Sequence, residues 1–106
     1  MRKYRKYKDV LIEDLRNDPE HAQLYLQVAF EEFEQDGDTE HLLVALRNVT
    51  EAQGGVPTLA KKVNMGKTSL YKALSEKGNP RLSTIYTILR GLGYKLMLAP
   101  MEKQTA

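Results

Sequence analysis

The chain has 106 residues, no cysteine and a formal net charge of +2. It therefore has no disulfide framework and no thiolate metal site, and a chain of this length can bury a hydrophobic core without either. Its apolar stretches are far shorter than the ~20 residues that cross a bilayer, and no apolar run follows the basic start. We expect a cytoplasmic protein with no membrane partner.

The charges fall into three blocks along the chain. Residues 1–8 have five bases and no acid, residues 9–40 have eleven acids and one base, and residues 41–106 have ten bases and three acids. We expect a basic N-terminal arm at 1–8, an acidic helical extension at 9–40 and a basic domain at 41–106. Such blocks suggest two partners of opposite charge, although two solvated faces without partners would have the same pattern.

Three helices are predicted in the first half of the chain, at 10–17, 19–35 and 39–53. The second has the strongest start signal, because Asp18 can cap free amides and Pro19 fits the first helical position. Apolar residues then recur at helical spacing. The third helix ends at a pair of glycines.

Three shorter helices are predicted in the basic half, at 57–63, 67–77 and 82–92. The alternating apolar segment from Tyr94 to Ala99, closed by Pro100, is typical of a short strand. We therefore predict an all-α fold, a bundle of five to six helices with a repressor-like helix-turn-helix and a short C-terminal β-strand.

The segment TLAKKVNMGKTSLYKAL, residues 58–74, has the pattern of two helices joined by a three-residue turn. Ala60 is small where the helices approach, Asn64 tolerates a left-handed conformation, and Leu70 can anchor the second helix in the core. The outward positions of that helix carry no acid, as expected of a helix that enters the major groove of DNA. Residues 41–106 are therefore predicted to be a helix-turn-helix DNA-binding domain. Its candidate base contacts are Lys67, Thr68 and Lys72, with Ser69 and Tyr71 nearer the DNA backbone. The candidate phosphate contacts are Thr58, Lys61, Arg81, Ser83 and Thr84.

This segment resembles the phage-repressor-like helix-turn-helix family. More closely, the chain is similar to the addiction-module antidote proteins of the HigA-like class. The stretches that carry the resemblance are EAQGGVPTLA (51–60), LYKALSEKGNPRLSTI (70–85), RGLGYKLML (90–98) and, more loosely, NDPEHAQLYLQVAFEE (17–32). Two positions depart from the family pattern, since Asn64 replaces the turn glycine and Gly66 replaces a serine-type cap.

The resemblance implies an antitoxin of a type II toxin–antitoxin module. Such proteins repress their own operon and bind a small basic toxin of the ribonuclease-like RelE/ParE superfamily. The alternative is a stand-alone helix-turn-helix regulator without a toxin, in which the acidic half is only structural.

Two further contacts are predicted on physical grounds. One recognition helix offers few base contacts, so specific binding implies a homodimer that reads two half-sites. The apolar tail at Leu96, Met97 and Leu98 is the candidate dimer contact, and it could pair as a strand with its copy. The acidic half would repel DNA and suits a basic protein. The candidate toxin contacts are Leu24, Val28, Glu31, Glu32 and Glu34.

Two sets of residues have competing interpretations. The arm at 1–8 could reach DNA phosphates or the minor groove, but we favour a disordered terminus. The stripe formed by Tyr25, Phe30 and Phe33 could bind a partner, but at helical spacing we favour the core.

The sequence lacks the complete residue patterns of a phosphate-binding loop, a catalytic site and a calcium loop. Gly66-Lys67-Thr68-Ser69 resembles the end of a phosphate-binding loop, but Lys61 stands where that loop requires glycine. His21 and His41 are not part of an HExxH pattern, and the sequence has no serine or cysteine nucleophile pattern. The acids at 36–40 lack the glycine of a calcium loop. We expect no enzymatic activity, no metal and no cofactor.

Overall fold

The computed structural model describes residues 6–102. Within this range the chain forms helices only: α1 (Tyr7–Asn17), α2 (Pro19–Asp36), α3 (Thr39–Ala52), α4 (Gly55–Val63), α5 (Lys67–Ala73) and α6 (Leu82–Leu92). The predicted helical fold is confirmed for these residues. Residues 1–5 of the predicted arm lie outside the described range, and α1 begins three residues before the predicted start.

The ends of α2 follow from single residues. The backbone amide of His21 donates a 3.1 Å hydrogen bond to Asp18 Oδ1, and Pro19 occupies the first helical position. At the other end Gly37 adopts a left-handed conformation (φ 70°), and its amide donates to the carbonyl of Phe33. Asp38 then caps α3 by accepting from the amide of Glu40 at 2.9 Å. These polar caps satisfy amides and carbonyls that helix ends leave free.

The hydrophobic core is built around α3. This helix packs against α1, α2 and α4, and its side chains at Leu43, Leu46 and Val49 are fully buried. Tyr25, Phe30 and Phe33 of α2 pack against the core from a partly buried position. The aromatic stripe is thus part of the core rather than an open surface.

The C-terminal half is held together by the packing of α4 against both α5 and α6. Helices α4 and α6 approach each other closely at Gly91. A Cβ atom at this position would lie 2.5 Å from both Leu59 Cδ1 and Val63 Cγ1 of α4. Glycine at this position is what permits the close approach.

Two sequence predictions were wrong, the strand after α6 and the end of α5. The segment from Tyr94 to Ala99 is not a strand, and no strand occurs anywhere between residues 6 and 102. A strand requires a neighbour to pair its backbone groups, and every other element of this range is a helix. The helix predicted at 67–77 ends at Ala73, where a tight turn through Ser75 replaces the last helical turn.

None of the helices between residues 6 and 102 is long and apolar enough to cross a membrane.

Candidate nucleic-acid interface and partner surfaces

The turn between α4 and α5 is set by Asn64. Its backbone lies in the left-handed region (φ 58°, ψ 44°), and both its amide and that of Met65 donate to the carbonyl of Ala60. Asparagine is one of the few residues other than glycine that adopt this conformation readily. Gly66 then precedes α5 in an extended conformation, without a side-chain cap. Three residues thus redirect the chain from one short helix into the next.

Helix α5 has a buried side and an acid-free outer side. Leu70 and the following Leu74 are buried and anchor it, while Tyr71 remains 56% exposed. No aspartate or glutamate occurs between residues 52 and 75. All five candidate base contacts are exposed: Lys67, Thr68, Ser69, Tyr71 and Lys72.

The candidate phosphate contacts lie on α4 and at the start of α6. Lys61 is exposed in the last turn of α4, and Arg81 is exposed at the residue that precedes α6. Ser83 is exposed, whereas Thr58 and Thr84 are partly buried. The hydroxyl of Thr58 donates to the carbonyl of Gly54 at 3.1 Å, so it has an intramolecular partner as well.

The outer face of α2 combines apolar and acidic side chains. Leu24 is 57% exposed and Val28 is 42% exposed, although both are aliphatic. Glu31, Glu32 and Glu34 are also exposed. Helical spacing of three and four residues places Leu24, Val28 and Glu31 along one side of the helix. This side points away from the aromatic stripe that packs on the core.

The apolar tail that follows α6 is uncovered. Met97 is exposed and Leu98 is fully exposed, while Leu96 is less so. Leu96 and Met97 line an open cavity of about 310 Å³ together with Phe30 and Tyr94. Burial raises the pKa of the Tyr94 hydroxyl above its ordinary value. The start of the tail therefore packs near α2, and its later residues do not pack on this chain.

The described residues contain no group of three or more histidine, aspartate or glutamate side chains that could hold a metal ion.

Residues 7–100, which include all six helices, match the family described as "Probable addiction module antidote protein". The chain belongs to this family. A protein of Haemophilus influenzae, described only as uncharacterized, is 29% identical to the antidote over 91 residues, which are 86% of this chain and 89% of that protein. No solved structure matches the antidote. Since an antidote acts against a toxin, its family implies a toxin partner.

Sequence reasoning missed two polar residues of the antidote that connect its helices. Arg47 of α3 donates from Nη1 to the carbonyl of Leu74, the residue that follows α5. Its neighbour Asn48 is 6% exposed and donates from its amide to the hydroxyl of Tyr25. A signal was present, because both polar residues interrupt an otherwise apolar run from Leu42 to Val49.

Proposed function

We propose that the antidote binds operator DNA through the outer side of α5 and represses transcription of its own operon. The observation that carries this proposal is the exposed, acid-free side of α5, which follows a three-residue turn from α4. Lysine, threonine and serine at the start of a helix can donate to base edges in the major groove, and a helix of this diameter fits that groove. The pair α4–α5 is then a helix-turn-helix of the phage-repressor type.

Contacts with the phosphates of the DNA backbone would fix the position of α5 in the major groove. Lys61 and Arg81 supply positive charge, and the hydroxyls of Ser83 and Thr84 lie at the start of α6, where free amides favour anions. Phosphate contacts raise the affinity for any sequence, whereas Lys67, Thr68 and Lys72 supply the discrimination between sequences.

The second surface of the antidote is the outer face of α2, which we assign to the toxin. Carboxylates at Glu31, Glu32 and Glu34 would speed the encounter with a basic protein, and exposed Leu24 and Val28 supply the apolar contact that makes a complex last. The acidic charge also keeps this half of the molecule away from DNA. A small basic toxin of the RelE/ParE type has the matching charge.

A second copy of the antidote completes the DNA-binding unit. The exposed side chains of Leu96, Met97 and Leu98 form an apolar patch at the end of the molecule, and burying them against a second chain removes it from water. Two copies would present two α5 helices to two half-sites about one helical turn apart.

The proposal is tested by equilibrium binding of the full-length protein to a labelled duplex from its own promoter and to a scrambled duplex of equal length. Stronger binding to the promoter, with an affinity that falls as salt rises, is the expected result. Equal binding to both duplexes, or none at low salt, would contradict operator recognition.

A further inference from the structure

The C-terminal end of α5 is held by α3 as well as by its own packing. The Nη1 atom of Arg47 reaches the carbonyl of Leu74 at 2.5 Å, in a partly buried position. Leu74 directly follows Ala73, the last residue of α5, so its carbonyl is one that the helix itself does not satisfy. A guanidinium is positively charged and therefore also complements the negative end of the helix dipole.

The loop that follows α5 also contacts the C-terminal end of this helix. Gly78 of the loop lies so close to the helix that a Cβ atom there would be 2.4 Å from the carbonyl oxygen of Ala73 and 2.9 Å from that of Lys72. Its amide also donates to the carbonyl of Ser75 at 2.9 Å. No side chain can be added at Gly78 unless the end of α5 or the loop moves.

Apart from its packing against α4, helix α5 has few features that fix its direction. It has seven residues, its preceding Gly66 provides no side-chain cap, and its buried anchors are Leu70 and the adjoining Leu74. A small rotation about these anchors leaves them buried but displaces the exposed side chains of Lys67 and Lys72.

We propose that Arg47 and Gly78 are positioning residues that set the orientation of α5 for sequence-specific DNA binding. This inference rests on the proposed function, since it assigns a role to the support of the same helix. Neither residue is among the candidate DNA contacts. Their effect is on the geometry of base contacts, which tolerate less displacement than phosphate contacts do.

The test compares three variants with the wild type as full-length proteins. Arg47→Met keeps an unbranched, flexible side chain but removes the donors and the charge. Gly78→Ala disturbs the same end without changing any charge, and Arg47→Lys keeps the charge and one donor. Arg90→Met is the matched control, because Arg90 is exposed on α6 and bonds to Tyr86 of its own helix. The measurements are the affinities for promoter and scrambled duplexes and the amide hydrogen exchange of Leu70 and Leu74.

The ratio of promoter to scrambled affinity should fall about tenfold for Arg47→Met and for Gly78→Ala, with a smaller fall for Arg47→Lys and none for Arg90→Met. Exchange at Leu70 and Leu74 should become faster, while amides in α2 keep their wild-type rates. An unchanged ratio in both Arg47→Met and Gly78→Ala would overturn the inference, as would exchange that accelerates equally in α2. A wild-type protein that does not prefer its promoter would instead overturn the proposed function, and the inference with it.

Discussion

The side-chain amide of Asn48 donates a 2.9 Å hydrogen bond to the hydroxyl of Tyr25, and so joins α3 to α2. Asn48 is buried, and its neighbour Arg47 bonds to the end of α5. Asn48 thus bonds to α2, which carries the acidic surface, and Arg47 bonds to the end of α5, which carries the basic one. The two proposed binding surfaces share one central support.

Tyr25→Phe should lower the free energy of unfolding by about 1–3 kcal/mol, because it leaves the buried amide of Asn48 without this acceptor. Urea denaturation followed by circular dichroism measures the change. Tyr7→Phe is the control, since the exposed ring of Tyr7 should give no change. Equal stability of the Tyr25→Phe protein and the wild type would show that the bond does not contribute.

Gly91→Ala should also destabilise the fold, by about 1–3 kcal/mol. Alanine favours a helix by about 1 kcal/mol over glycine, but here its methyl group would lie too close to Leu59 and Val63 and would push α4 from α6. Ser83→Ala, on the exposed first turn of the same helix, is the control and should change stability by less than about 0.5 kcal/mol. A Gly91→Ala protein more stable than the wild type would show that α4 and α6 have room to separate.

The helical elements could be predicted because their signals are local. Asp18, Pro19 and Gly37 act on residues within one turn, and the left-handed Asn64 was expected from its side chain alone. The same holds for the exposure of the outer side of α5, which follows from helical spacing once Leu70 is assigned to the core.

The features that could not be predicted depend on contacts between distant residues. Alternation from Tyr94 to Ala99 favours a strand, but only a second extended segment can make one, and residues 6–102 contain none. The early end of α5 reflects the loop that brings Gly78 onto its carbonyls. The bond from Arg47 to Leu74 spans 27 positions of the chain, so the sequence marks Arg47 as unusual but does not indicate its partner.

The tail should form the contact between two copies of the antidote. Met97→Glu combined with Leu98→Glu places two charges on the exposed apolar patch and should convert the dimer to a monomer in sedimentation experiments at micromolar concentration. Leu82→Glu, at an exposed leucine on α6, is the control and should remain a dimer. A tail variant that sediments as the wild type does would place the interface elsewhere.

Lys61→Ala should weaken binding to the promoter and to a scrambled duplex by similar factors, because a phosphate contact does not depend on sequence. The slope of log affinity against log salt should fall in magnitude by about one unit. Lys95→Ala provides the comparison for loss of a lysine that is not among the proposed DNA contacts, and its dimer is checked by sedimentation. A Lys61→Ala protein that loses affinity for the promoter alone would make Lys61 a base contact.

We propose that α5 binds DNA while α2 binds the toxin, and two variants, each measured with both partners, test this division. Thr68→Ala with Lys72→Ala alters α5, and lysine at positions 31, 32 and 34 reverses the charge of α2. Each protein is titrated with promoter DNA and, separately, with the proposed toxin, a basic protein that we expect a neighbouring reading frame to encode. The α5 variant should lose promoter preference and bind the basic protein as the wild type does, whereas the α2 variant should associate more slowly with the basic protein and bind the promoter at least as tightly. Loss of both partners by either variant, with the fold intact, would contradict two separate surfaces.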